Sequence, residues 1–230
     1  MRIEFTLNGN LHVFRFDTTS NDKIEANKKR KIMQTYTFSK SQFSALDKGM
    51  KDFFNSADTN CLDCPFNSFG KCYTHKFNQY VGFKSMLKSI ASKYGDWDSI
   101  PTYNETIASI IVSLCEGTFV RFGTYGEPSL HPITLIERMA SVCDNWTGYT
   151  HQWMRHDLGR FFMASVHSIK GQQRAEQMGY RSYIATPVQL NDYVNCPASK
   201  EAGYKSSCSK CSLCSGTAGK GNKSIYILNH

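Results

Sequence analysis

Four of the chain's nine cysteines fall in one short stretch, and they constrain the fold more than any other feature. Cys196 is followed by Pro197, and after eleven intervening residues comes Cys208-Ser-Lys-Cys211-Ser-Leu-Cys214. Thiols at this density bind a soft metal, form disulfides or stay idle. One zinc ion takes four ligands in a tetrahedron, usually from two separated knuckles. A C-x2-C-x2-C run instead wraps three thiolates around one face of a cube. With a distant Cys-Pro it carries the parts of a ferredoxin-type signature, here with the Cys-Pro first. The spacing favours a 4Fe–4S cluster on Cys196, Cys208, Cys211 and Cys214, with zinc as the alternative.

The bulk properties push in the same direction. Nine is an odd number, which argues against a closed disulfide framework. The start, MRIEFTLNGN, has no signal-peptide core, so the expectation is a cytoplasmic chain with reduced thiols. No run of about 18 apolar residues exists, so no membrane span is expected. A chain of 230 residues buries a normal core without covalent staples, which frees the cysteines for other work. The net charge of +8 leans toward anionic partners: phosphates, nucleotides or nucleic acid.

A second thiol set comes earlier, in Asn60-Cys61-Leu-Asp-Cys64-Pro65 and Gly70-Lys71-Cys72-Tyr73. The C-x2-C knuckle puts two sulfurs on one centre, and Cys72 can swing back to join them. Three thiolates leave one coordination position open for a ligand. Alternatively, the Cys61/Cys64 and Cys208/Cys211 knuckles complete a single zinc site in a basic module that binds nucleic acid or a host protein. Cys115 and Cys143 stand alone in apolar-periodic contexts and read as core.

Hydrophobic periodicity supplies the frame. Ile3, Phe5 and Leu7, then Leu11 and Val13, flank Asn8-Gly9 and read as a hairpin. The apolar phase slips at Phe14 and Phe16, which predicts a bulge in the second strand. A polar loop with Lys28-Lys29-Arg30-Lys31 follows, so residues 1–40 read as a hairpin and basic linker. Residues 41–230 read as an α/β domain with a cysteine-rich loop over 195–216. Helices are predicted from Ser41 through Phe53-Phe54, over 81–94, and over 104–115 with Ile107, Ile110, Ile111 and Leu114 buried. Strands at 119–122, 146–149, 160–166, 182–185 and 224–228 alternate with helices at 133–142 and 171–178. That repeat implies a parallel sheet, either open or curled into a partial or small TIM-like barrel. Chemistry in such folds sits at the carboxyl ends of the strands.

That rule singles out Arg121-Phe-Gly123-Thr-Tyr125-Gly126-Glu127-Pro128-Ser-Leu-His131-Pro132, which leaves a strand through two glycines. Glu127 can accept hydrogen bonds from a ligand, and Arg121 can balance it or hold a carboxylate. An ordinary loop with Glu127 near a helix N-terminus is the plainer account. His151, Trp153 and His156 follow the second repeat strand, His167 the third and Thr186 the fourth. As a set they can line a substrate pocket. Lys200, Lys205, Lys210, Lys220 and Lys223 flank the last cysteines and can tune a cluster or hold phosphate.

The segment GEPSLHP resembles the Gly-Gly-Glu-Pro segment of radical S-adenosylmethionine enzymes. That resemblance implies S-adenosylmethionine as a cofactor, held by Arg121, Gly126 and Glu127, with Tyr125 in place of the family's first glycine. It also implies Glu127 at the cofactor, facing the strand-end set His151, His156 and His167 as catalytic candidates, and Cys61, Cys64 and Cys72 around an open-site cluster, here with x2 and x7 spacing. The whole arrangement is more similar to a phage family called gene product eighty-eight, over roughly residues 30–230. What these resemblances imply is an iron–sulfur protein of the host cell cytoplasm. Its activity would be redox or radical, toward a small-molecule substrate or a host redox protein.

Overall fold

The computed structural model describes residues 1–155, 157–203 and 205–228. Strands β1 (Arg2–Leu7) and β2 (Asn10–Asp17) form the expected antiparallel hairpin. Asn8 and Gly9 turn it with φ of 48° and 74°, the positive pair that a two-residue turn requires. The register runs unbroken from Arg2↔Arg15 to Leu7↔Asn10, so the expected bulge is absent. The phase slip has another cause, because β2 is covered on both faces. Phe14 faces a cluster with Phe5, Met33 and Phe122, whereas Leu11 and Val13 face one with Phe38, Phe53 and Phe83.

Strand β3 (Ile32–Ser39) pairs antiparallel with β2, and all eight of its residues are buried. Strand β4 (Phe119–Tyr125) then runs parallel to β3, and β5 (Asn145–Thr147) parallel to β4. The N-terminal hairpin therefore shares one five-stranded sheet with β4 and β5. A second sheet has the order β6 (Tyr149–Thr150), β7 (Met163–Val166), β8 (Ser182–Thr186), β10 (Ile225–Leu228), β9 (Val194–Asn195), parallel throughout.

One residue, Gly148, separates β5 from β6, so a single bent stretch joins the two sheets. A Cβ at Gly148 would lie 2.5 Å from the Phe162 ring, so the bend needs glycine to bring these segments together. The parallel strand–helix architecture is as expected, but the ladders do not close into a TIM-like barrel among the described residues. The antiparallel hairpin ends the parallel run on one side, and the two-residue β9 ends it on the other.

The helices cover the faces. The helix expected from Ser41 to Phe54 is two, α1 (Lys40–Ser44) and α2 (Met50–Asn55), divided at Gly49 with φ 99°. With α3 (Phe77–Tyr94), they pack over Phe38 and Tyr125. Helices α4 (Glu105–Cys115) and α5 (Ile133–Val142) cover the opposite face. The buried stripe of α4 is Ala108, Ile111 and Cys115. Ile110, expected in the core, lies off that stripe and is 47% exposed. Helix α6 (Ile169–Gln177) packs on β7 and β8. No helix among the described residues is long and apolar enough to cross a membrane.

Candidate functional site

The carboxyl end of β4 holds the first cysteine loop in place. Gly126 has φ 79°, and a Cβ there would stand 2.6 Å from Thr37 O and 3.3 Å from Asn60 O. Asn60, fully buried, donates from Nδ2 to Thr37 O at 2.9 Å and accepts from Glu127 N at 2.8 Å. The residue before Cys61 is thus clamped between β3 and the GEP segment. Beyond it, Cys64 N donates to Cys61 O at 3.1 Å, and His75 N to Cys72 O at 3.0 Å. The protein's own backbone uses the space that the missing Gly126 side chain leaves.

Glu127 is 3% exposed, and its carboxylate is engaged. It accepts from Ser129 N at 3.1 Å, Thr150 Oγ1 at 2.6 Å and His151 N at 3.1 Å. Burial raises its pKa against the pull of those donors. It caps a short 3-10 turn over Pro128–Leu130 and ties the end of β4 to the end of β6. This matches the plainer reading of Glu127 near a helix N-terminus.

His131, in the same segment, turns into the core. Thr35 Oγ1 accepts from Gly123 N at 2.9 Å, which leaves its hydroxyl proton for His131 Nε2 at 3.0 Å. The His131 and His12 Nδ1 atoms are 2.9 Å apart, so one ring donates to the other and both are neutral. Burial lowers the pKa of His12 to about 4 and that of His131 well below its ordinary value.

Among the described residues, no three His, Cys, Asp or Glu side chains converge in a metal-holding group. The cysteines do assort into two neighbourhoods, and none is in a disulfide. Cys61 and Cys64 lie within electrostatic reach of one another, of Cys72 and of Glu127. Burial is the largest cause raising both thiols, Cys64 to about 11. Cys196 acts on Cys208 and Cys214, Cys208 acts on Cys214, and Cys211 acts on all three.

The C-terminal four rest on a face of the second sheet, not on its edge. Cys196, Cys208 and Cys214 pack with Met163, Ile225, Tyr149 and Tyr183. Cys208 opens the four-residue helix α7 (Cys208–Cys211), whose first amides donate to Lys23 O at 2.7 Å and Ile24 O at 2.9 Å. Gly148 N, at the bend between sheets, donates to Cys214 O at 3.0 Å. Tyr149 packs beside Cys214, and its hydroxyl draws the Cys214 thiol down against burial.

Arg181, 6% exposed, clamps the rest of the loop by donating to Leu213 O at 2.8 Å, Gly216 O at 2.8 Å and Lys223 O at 3.0 Å. No sequence motif marked Arg181, because its targets are backbone carbonyls. The donor chemistry of this set suits a soft metal: four free thiols, three of them in an apolar, aromatic setting.

Two cations outside the loop act on these thiols. Lys23 lowers Cys196 and Cys208, and Arg121 lowers Cys208. Arg121 neither pairs with Glu127 nor has any other carboxylate partner among the described residues. Its guanidinium is desolvated although the residue keeps partial exposure, and Tyr73, Cys208, Tyr149 and Tyr36 surround it.

His151 and His167 come together, their rings stacked with centroids 5.2 Å apart. Phe66, from the first cysteine loop, meets His167 edge-on at 4.4 Å. Burial lowers both histidines, His151 to about 4 with the charge of His167 adding to it. They line a cavity of about 510 Å³ together with Trp153. His156 lies outside the described residues. No protein-family model, curated protein or solved structure matches this chain.

Proposed function

We propose that the chain is an iron–sulfur protein with a redox function, its primary cluster on Cys196, Cys208, Cys211 and Cys214. The observation that carries this reading is the packing of three free thiols, Cys196, Cys208 and Cys214, on one aromatic sheet face, with Cys211 within electrostatic reach of all three and a desolvated arginine beside Cys208. Bound there, a 4Fe–4S group would supply one-electron transfer. The chain's own part is to hold the loop with Arg181, to draw the Cys214 thiol down through Tyr149, and to set positive charge at Cys208 through Arg121. Cys61, Cys64 and Cys72 would hold a second group with one position open, on the rim of the cavity that His151 and His167 line. Cleavage of S-adenosylmethionine at that second set rests on the GEP resemblance, and so does a partial barrel within this superfamily.

Anaerobic purification with iron, acid-labile sulfide and zinc analysis tests the reading. The expected result is about four iron and four sulfide per chain from the primary set, lost in Cys208→Ser/Cys211→Ser and kept in Cys61→Ser/Cys64→Ser, with any iron above four in the wild type lost in Cys61→Ser/Cys64→Ser. Zinc without iron sinks it in favour of a zinc-stapled basic module. Iron present, with no 5′-deoxyadenosine formed from S-adenosylmethionine and reductant, removes the radical part and leaves electron transfer.

A further inference from the structure

The cavity at the ends of β6 and β7 has a charge pattern that the thiols do not explain. One wall is the first cysteine loop, through Asp63 and Pro65, and the other is the first turns of α6, through Lys170, Gly171 and Arg174. Between them lie Trp153, 7% exposed, and the His151–His167 stack. At about 510 Å³, the space is within the range of small-molecule sites.

Its cations are not balanced. Arg155 pairs with Asp63. Lys170 and Arg174, one helical turn apart on the wall, have no carboxylate partner among the described residues. The nine-residue helix α6 points its N-terminus at the same place. Ser168 Oγ takes the Gly171 amide at 3.0 Å, which leaves the Ile169 and Lys170 amides with no acceptor inside the helix. Two free cations and a helix N-terminus suit a multiply charged anion. The indole and the stacked imidazoles suit a flat body attached to it.

We infer that this cavity binds a small organic phosphate, its phosphate held at Lys170, Arg174 and the first turn of α6, and its flat body against Trp153 and the His151–His167 stack. This site goes beyond the metal reading, since none of its binding groups is a thiol. Calorimetric titration of the full chain with phenyl phosphate, adenosine monophosphate, benzoate and inorganic phosphate, at fixed ionic strength, tests it. At least one of the two phosphate esters should bind tenfold or more tightly than both benzoate and inorganic phosphate. Lys170→Glu/Arg174→Glu should abolish that preference with iron or zinc content unchanged, which separates this site from the metal centre. Arg174→Gln alone, on the exposed side of α6, should weaken ester binding at least threefold and serves where the double variant misfolds. Benzoate binding as tightly as the esters overturns the phosphate assignment. Weak binding of all four probes overturns the site, as does ester binding that survives in the folded double variant.

Discussion

Lowering the pH from 7 to 5 charges the histidines of the unfolded chain while the buried pair His12 and His131 stays neutral in the fold. A group that binds protons only when unfolded makes stability fall as pH falls. The loss begins below the unfolded value of 6.5 and ends at the folded one, about 4 for His12. Across that window, His12 alone removes about 2 kcal/mol between pH 7 and 5. His131 adds to the loss in the same direction.

Replacement by His12→Phe keeps a ring against Phe5, on which His12 stacks with centroids 5.0 Å apart. It removes the titration and leaves His131 Nδ1 without its partner, at a cost of roughly 1–3 kcal/mol at neutral pH. Urea unfolding followed by tryptophan fluorescence, at pH 7 and pH 5, measures both chains. The wild type should lose about 2 kcal/mol more than the variant over this interval. His75, His151 and His167 are also lowered by burial but are common to both chains, so they cancel. Equal losses in the two chains would refute the neutral buried pair.

Gly126→Ala combines positive φ with a Cβ 2.6 Å from Thr37 O, so it should destabilise the fold by at least about 2 kcal/mol in urea. Arg181→Met leaves the carbonyls of Leu213, Gly216 and Lys223 without their donor. A loss of about 3 kcal/mol and faster alkylation of buried Cys214 are expected, and unchanged alkylation would show that the loop holds itself. Arg121→Met should stabilise or leave unchanged the metal-free chain and destabilise the metal-loaded one. Chemical denaturation with and without metal checks this, and equal effects in both forms would remove the charge-compensation argument.

Local signals made much of the fold readable. Asn8-Gly9 set the hairpin register, and periodic apolar stripes located α3 through α6. Strand β3 escaped because four of its eight buried residues, Gln34, Thr35, Thr37 and Ser39, are polar. Thr35 serves Gly123 and His131, and Ser39 caps α1, so their burial depends on partners distant in sequence. The same reason hid Arg181, and it hid the pairing of Lys170 and Arg174 with a cavity whose other wall lies about a hundred residues earlier. Spacing put Cys196, Cys208 and Cys214 in one set, and these three do share a packed cluster. Their relation to Arg121 needed β4 to lie beside the bend at Gly148.

Arg121 connects these observations. Its guanidinium is desolvated and has no carboxylate partner among the described residues, and its pKa is held up by neighbouring phenols and a thiol; burying a charge is costly unless a counter-charge is present. Its neighbours are three phenols and the Cys208 thiol, groups that are ordinarily neutral at pH 7. Four thiolates around a metal would instead present net negative charge at that point, and Lys23 adds a second cation on the same side. An anionic metal–thiolate centre at these sulfurs would add a full counter-charge where the bare chain supplies only phenols and a thiol. The same holds for zinc as for iron, so metal analysis, and not charge, decides between a staple and a redox centre.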